Sequence, residues 1–200
     1  MTDNSGYNPQ LHHRRSIRLR DYDYSYEGAY YITICAVGRR CLFGQVSPTE
    51  SELFSDVDSS TVILNNFGLV TRQCWEAIPA HFADIELDAF VIMPNHLHGI
   101  VVLPSDPHEP VGARHASPLS GPANPPDRIS RTTIGTIVGS FKSAASKRIN
   151  ELRGTKAEAV WQRNYYERII RDEKELDSIR EYIYYNPMKW ASDENNLANL

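Results

Sequence analysis

Two histidines separated by one apolar residue, His96-Leu97-His98, stand within the run Val91-Ile92-Met93-Pro94-Asn95-His96-Leu97-His98-Gly99-Ile100-Val101-Val102-Leu103. Side chains of a strand alternate between its faces, so both imidazoles project to one side and Leu97 to the other. Imidazole is the commonest protein ligand for divalent metals. Two rigidly spaced rings leave coordination positions free for a third ligand, water or a substrate phosphate. Alone, such a pair fits a core histidine beside a surface one better than it fits a metal site. A second group of residues, near the C-terminus, reverses that balance.

This second group is the helical run Glu175-Leu176-Asp177-Ser178-Ile179-Arg180-Glu181-Tyr182-Ile183-Tyr184-Tyr185-Asn186. At ~100° per residue, Leu176, Ile179 and Ile183 form the buried stripe. Tyr182 and Asn186 lie one turn apart along one edge of that stripe, Tyr184 points to solvent, and Tyr185 lies well round the other side. Tyr182 can therefore lie against the protein body with a polar ligand above it. A phenol, with a pKa of ~10, is a poor nucleophile at neutral pH unless its anion or transition state is stabilised. A divalent metal helps by polarising a scissile phosphate. Two imidazoles and one amide oxygen form a neutral ligand set that preserves the ion's charge. Tyr165 and Tyr166, on an expected strand, face opposite sides of the sheet and rank below Tyr182 as nucleophiles.

The elements that must position these groups can be read along the chain. Residues 29–37 are rich in β-branched and aromatic types and form a strand ending at Gly38-Arg39-Arg40. A polar, acidic stretch covers residues 47–60. Helical spacing runs from Phe67 to Ile78, where Pro79 closes the helix. Strands Ile85–Met93 and Leu97–Leu103 flank Pro94-Asn95, or form one bent strand. Seven prolines in residues 104–131 mark a flexible insertion. A long helix then carries Ile134, Ile137, Val138, Phe141, Ala145, Ile149 and Leu152 on one face, with Thr132 or Thr133 as cap and Gly154 as stop. A strand from Ala159 to about Ile170 precedes the last helix, capped by Asp172 and broken at Pro187. This order predicts an α+β, ferredoxin-like (split βαβ) antiparallel sheet with flanking helices and an added C-terminal helix. The expected organisation is a basic extension over residues 1–28, one domain over residues 29–190 containing the insertion, and a tail over residues 191–200.

The 200-residue chain has a net charge of −4, but its charge is segregated. Residues 1–20 carry Arg14, Arg15, Arg18 and Arg20 against Asp3. Residues 131–171 carry nine Lys and Arg against three Glu, whereas residues 47–112 carry ten acidic groups against Arg72 alone. Such a chain can present a basic face to phosphates despite its acidic average. On the long helix Lys142 and Arg153 sit beside Gly139, Ser143 and Ser146, small residues that let a phosphate backbone approach. No apolar run is long enough to span a membrane and the N-terminus is polar, so a cytoplasmic protein is expected. Cys35, Cys41 and Cys74 show no paired spacing and are expected to be buried thiols.

Taken together, these residues resemble the single-tyrosine HUH transposases. The match is Met93-Pro94-Asn95-His96-Leu97-His98 for the first motif and Tyr182-Ile183-Tyr184-Tyr185-Asn186-Pro187 for the second. The branch of REP-associated tyrosine transposases is closer still, through the Arg14–Arg20 segment, Gly139-Ser140-Phe141-Lys142-Ser143 and Trp161-Gln162-Arg163-Asn164-Tyr165-Tyr166-Glu167-Arg168. The resemblance implies that Tyr182 attacks a single-stranded DNA phosphodiester to leave a 5′-phosphotyrosine and a free 3′-OH. It further implies that His96, His98 and Asn186 hold Mg²⁺ or Mn²⁺. Substrates would be hairpins of repetitive extragenic palindrome type, held by Arg14, Arg15, Arg18, Arg20, Lys142, Arg153 and Arg163; the tyrosines of residues 22–26 fit a mobile solvated loop better than a stacking platform for unpaired bases. Such a protein would be nucleoid-associated, as a monomer or a homodimer. The alternative is a regulator that binds hairpins on the same scaffold without cutting them.

Overall fold

The computed structural model describes residues 27–48, 60–82, 84–103 and 132–196. The elements are β1 (Gly28–Cys35), β2 (Gly44–Pro48), β3 (Ser60–Leu64), α1 (Asn66–Glu76), α2 (Ile78–His81), β4 (Glu86–Ile92), β5 (His96–Leu103), α3 (Ile134–Arg153), β6 (Tyr166–Ile170) and α4 (Glu173–Tyr185). Four strands pair antiparallel in the order β4-β5-β1-β6. The connection β1-α1-β4 therefore passes β5, and β5-α3-β6 passes β1. This is the split βαβ arrangement anticipated from the order of elements.

Alternation along β1 gives the sheet two different faces. Tyr30, Ile32 and Ile34 are wholly buried on one side, while Tyr31, Thr33 and Cys35 point to the other. The first face packs against α1 and α3 through Val70, Trp75, Ile137, Phe141 and Ile149. Asn65 caps α1 by accepting from the backbone N–H groups of Phe67 and Gly68. Thr133 caps α3, and Gly154 ends it with a left-handed φ of 67°. Gly99 of β5 lets the indole of Trp75 press against the strand, because a Cβ there would collide with that ring.

The second face holds α4, whose Leu176, Ile179 and Ile183 pack on Val91, Ile100, Val102 and Ile170. Arg180 fastens α4 to the edge strand β4 with two hydrogen bonds to Asp88, at 3.0 and 2.6 Å. The amphipathic phase read from the sequence is realised here. Ile183 is buried, Tyr184 is exposed, and Tyr182 lies between them in accessibility. No helix among the described residues is long and apolar enough to cross a membrane.

Four local expectations change. Residues taken as a polar stretch contribute to a hairpin, β2 pairing with β3 from Gly44↔Leu64 to Pro48↔Ser60. Pro79 does not close a helix. It sits in the first turn of α2, where its missing N–H costs nothing. The last strand is shorter than expected and begins at Tyr166; before it, only Trp161 bridges to Ala36. Of the three thiols, Cys74 is buried, Cys35 is half-buried and Cys41 is exposed. The Arg14–Arg20 segment, residues 22–26 and the proline-rich insertion lie outside the described residues.

Candidate metal centre and tyrosine

His96 and His98 lie opposite Cys35 and Thr33 in the β1–β5 register, so both rings enter the α4 side of the sheet while Leu97 enters the core opposite Ile34. Their Nε2 atoms are 2.9 Å apart. Each outer nitrogen has a partner. His96 Nδ1 meets Asn95 Oδ1 at 2.8 Å, and His98 Nδ1 meets Tyr31 Oη at 2.7 Å and Thr33 Oγ1 at 2.8 Å. Such outer contacts set ring orientation in metal sites.

Burial governs the charge of both rings. Desolvation pulls His96 down from 6.5 to about 4, with Asp193 opposing and Arg39 assisting. His98 is held well below its ordinary value, by burial first and by His96 second. Both imidazoles are therefore neutral at pH 7, the form that binds metal.

Two further donors converge on the pair. Asp193 follows the turn Trp190–Ser192 beyond α4. Ligand atoms of His96, His98 and Asp193 all lie within 4.8 Å of one another, and all three residues are buried. Asn186, the C-cap of α4, is 1% exposed and donates from Nδ2 to Asp193 Oδ2 at 3.3 Å. Its Oδ1 is buried without a hydrogen-bond partner among the described residues. A buried orphan acceptor is costly, and a cation would satisfy it. Two imidazole nitrogens, a carboxylate and an amide oxygen form a mixed N/O set that suits Mg²⁺ or Mn²⁺. Sequence reasoning missed Asp193, because residues 191–200 looked like a tail. Within the described part of that segment, Asp193 and Asn195 fold back onto the site and are buried.

Tyr182 stands at the mouth of this centre. Its ring centroid is 5.3 Å from that of His98 and 6.3 Å from that of Tyr31, and it remains 37% exposed, enough for a substrate to reach it. Burial raises its pKa, helped by Asp193 and Glu194, while the neighbouring Asn186 and Tyr31 side chains favour its anion. Among the described residues, Tyr182, His96, His98 and Asn186 lie together at one end of the sheet face that carries α4.

Of the cations expected to face DNA, Lys142, Arg153 and Arg163 lie among the described residues. Lys142 Nζ donates to the backbone carbonyls of Gln162, at 2.6 Å, and Arg163, at 3.0 Å. Arg153 is turned inward, paired with Glu158 at 2.9 Å and lying over the Phe67 ring. Arg163 is exposed. A cleft of about 540 Å³ opens beside Tyr182, with Arg39, Arg168, Gln162 and Asn164 along its walls.

Fold and site together set a His-hydrophobic-His pair on one strand of a split βαβ domain against a tyrosine on a late helix. The chain is 42% identical to an uncharacterized protein of Haemophilus influenzae over 189 residues, 94% of this chain and 96% of that one. It is 25% identical to a candidate REP-associated tyrosine transposase of the same organism over 171 residues, 84% of this chain and 74% of that one. No family model matches the chain. Among solved structures, it is similar to a REP-associated tyrosine transposase bound to a REP hairpin, at 21% identity over 86% of this chain and 73% of that one, with a TM-score of 0.45. It is also similar to a candidate transposase from Deinococcus radiodurans, at 16% identity over 83% of this chain and 94% of that one, with a TM-score of 0.39.

Proposed function

We propose that the protein is a metal-dependent endonuclease and strand-transferase acting on single-stranded DNA beside a hairpin of repetitive extragenic palindrome type. The observation that carries this reading is the meeting of Tyr182 from α4 with the paired Nε2 atoms of His96 and His98 from β5. The 25% identity to a candidate REP-associated tyrosine transposase over 84% of this chain supports it.

In this reading, Tyr182 Oη attacks the scissile phosphorus and the bond to the 3′-oxygen breaks. The phenolic proton leaves Tyr182 and the 3′-oxygen gains one. This yields a 5′-phosphotyrosine and a free 3′-OH. Attack of a 3′-OH on that linkage reverses the step and releases Tyr182, so the phosphodiester energy is conserved and no ATP is needed. His96, His98, Asp193 and Asn186 would hold Mg²⁺ or Mn²⁺, which supplies charge to polarise the phosphate oxygens. Tyr31 and Asn186 favour the tyrosinate against the burial and the acidic neighbours that oppose it. Ile179 and Ile183 seat α4 on the sheet and so aim Tyr182 at the centre.

The test is incubation of wild type and Tyr182→Phe with Mn²⁺ and a 3′-labelled hairpin, flanked by single strand, drawn from the host genome's palindromic repeats. Wild type should form a protein–DNA adduct that survives a denaturing gel, and Tyr182→Phe should not. An adduct with both proteins, or with neither, sinks the reading. Tight hairpin retention without a cleaved product would assign the protein to the non-cutting regulators.

A further inference from the structure

We propose that the cleft beside Tyr182 is a nucleobase subsite, where the Gln162 and Asn164 amides pair with the edge of one unpaired base and Tyr166 supplies the face on which it stacks. The placement of that base next to the scissile phosphate rests on the strand-transfer reading; the subsite itself does not.

The cleft's volume, about 540 Å³, falls in the range of small-molecule sites. Its floor is the site-bearing face of the sheet. Tyr166 pairs with Thr33 and therefore points to the same side as Tyr31. The Tyr31 ring meets Tyr166 edge-on at 6.1 Å and Tyr182 edge-on at 6.3 Å, which makes a continuous aromatic surface leading to the nucleophile. Two side-chain amides also line the cleft, those of Gln162 and Asn164. Neither has a side-chain hydrogen-bond partner among the described residues.

The segment carrying these amides is held in place from behind. Lys142 donates to the carbonyls of Gln162 and Arg163, the Gln162 N–H donates to Cys35 O at 2.9 Å, and Trp161 bridges to Ala36. Lys142 is half-buried for this purpose, and desolvation lowers its proton affinity. The lysine expected to touch phosphate thus serves as a clamp on the recognition segment, which fixes the amides before any ligand arrives.

A free amide offers a donor and an acceptor side by side, the pattern that reads base edges bidentately. A tyrosine ring stacks on any base face. The nearby cations are already engaged: Arg168 pairs with Glu175, and Arg39 donates to Glu194 O. The unsatisfied chemistry of the cleft is therefore that of a flat, neutral, hydrogen-bonding heteroaromatic ring.

Fluorescence anisotropy of the full chain tests this with labelled single-stranded octamers of dA, dC, dG and dT and an octamer of abasic sugar-phosphate. Wild type should bind at least one base-bearing octamer about tenfold tighter than the abasic one. Gln162→Ala and Tyr166→Ala should each bring that preference to within about twofold while leaving abasic affinity unchanged, and Tyr166→Phe, which keeps the ring, should retain it. Lys142→Met should reduce the preference without altering the salt dependence of abasic binding. A drop of about one in that slope would make Lys142 a phosphate contact and overturn the clamp. Equal binding of abasic and base-bearing octamers by wild type, or full preference in both alanine variants, overturns the subsite. A covalent adduct with wild type alongside unaltered preference in the variants sinks the subsite alone. Base preference without an adduct sinks only the strand-transfer reading.

Discussion

The side-chain amide of Asn95 determines which nitrogen of its neighbour His96 carries hydrogen. Asn95 Nδ2 donates to the carbonyls of Arg39, at 2.9 Å, and Asn195, at 2.7 Å, so its Oδ1 must face His96 Nδ1 as an acceptor. His96 is then the Nδ1–H tautomer and presents a lone pair at Nε2.

Removing that amide should loosen the centre and the fold together. Asn95→Ala strands one buried carbonyl, one part-buried carbonyl and one imidazole N–H. It should cost about 1–3 kcal/mol in urea unfolding and weaken Mn²⁺ binding by about 10–100-fold in calorimetry. Unchanged Mn²⁺ affinity would show that His96 is oriented by something else.

His98 sits opposite a fixed lone pair at 2.9 Å, so its own Nε2 carries the intervening hydrogen and its Nδ1 accepts from Tyr31 or Thr33. Ligation of a cation through both Nε2 atoms moves that hydrogen to His98 Nδ1, where either hydroxyl can turn round and accept it. The double variant Tyr31→Phe/Thr33→Val removes both acceptors and should lower Mn²⁺ affinity about tenfold or more. Either single variant should lose much less. Equal losses in the single and double variants would contradict this sharing.

Asp193 supplies the only carboxylate in the buried cluster of possible ligands found among the described residues. Asp193→Asn keeps the shape and removes the charge, and should weaken Mn²⁺ by about tenfold or more. Asn186→Ala should weaken it less if the carboxylate dominates. Manganese electron paramagnetic resonance titration ranks the two, and an Asp193→Asn protein binding like wild type would exclude the aspartate as a ligand.

Acid should destabilise the protein through the same histidines. Both have native pKa values below the 6.5 of an unfolded chain, His96 at about 4. The unfolded chain therefore binds more protons as pH falls below 6.5. Stability is fully present above that value and is lost as pH falls towards about 4, at up to about 1.4 kcal/mol per pH unit for each ring. Urea unfolding across this window should show the slope, and a His96→Gln/His98→Gln protein should flatten it.

Gly99 tests the packing beneath the site. Gly99→Ala drives a methyl into the wholly buried Trp75 ring and should cost about 1–3 kcal/mol, seen as an earlier urea midpoint by tryptophan fluorescence. A stability equal to wild type would mean that α1 can shift freely on the sheet.

Much of the site could be read from local periodicity. The period of two along β5 sends His96 and His98 to one face, and the phase of α4 puts Ile183 inside with Tyr182 and Asn186 on its edge. Segments without such a period were misjudged. The apolar pair Val160-Trp161 reads as the start of a strand, whereas only an isolated bridge forms at Trp161 and regular pairing begins at Tyr166. Thr61, Val62 and Ile63 carried a strand signal that the acidic residues before them obscured.

By itself, then, the sequence determined the order of elements, the shared face of the two histidines and the place of Tyr182 at the edge of the buried stripe of α4, because each follows from repeat geometry. Only the tertiary structure decided that Asp193 returns to the histidines, that Asn95 reaches Asn195 to set a tautomer, and that Lys142 clamps a loop. Those contacts join residues distant in sequence through side-chain directions, which no local period encodes. They depend on how α3, α4 and the segment after α4 pack on the two faces of one sheet.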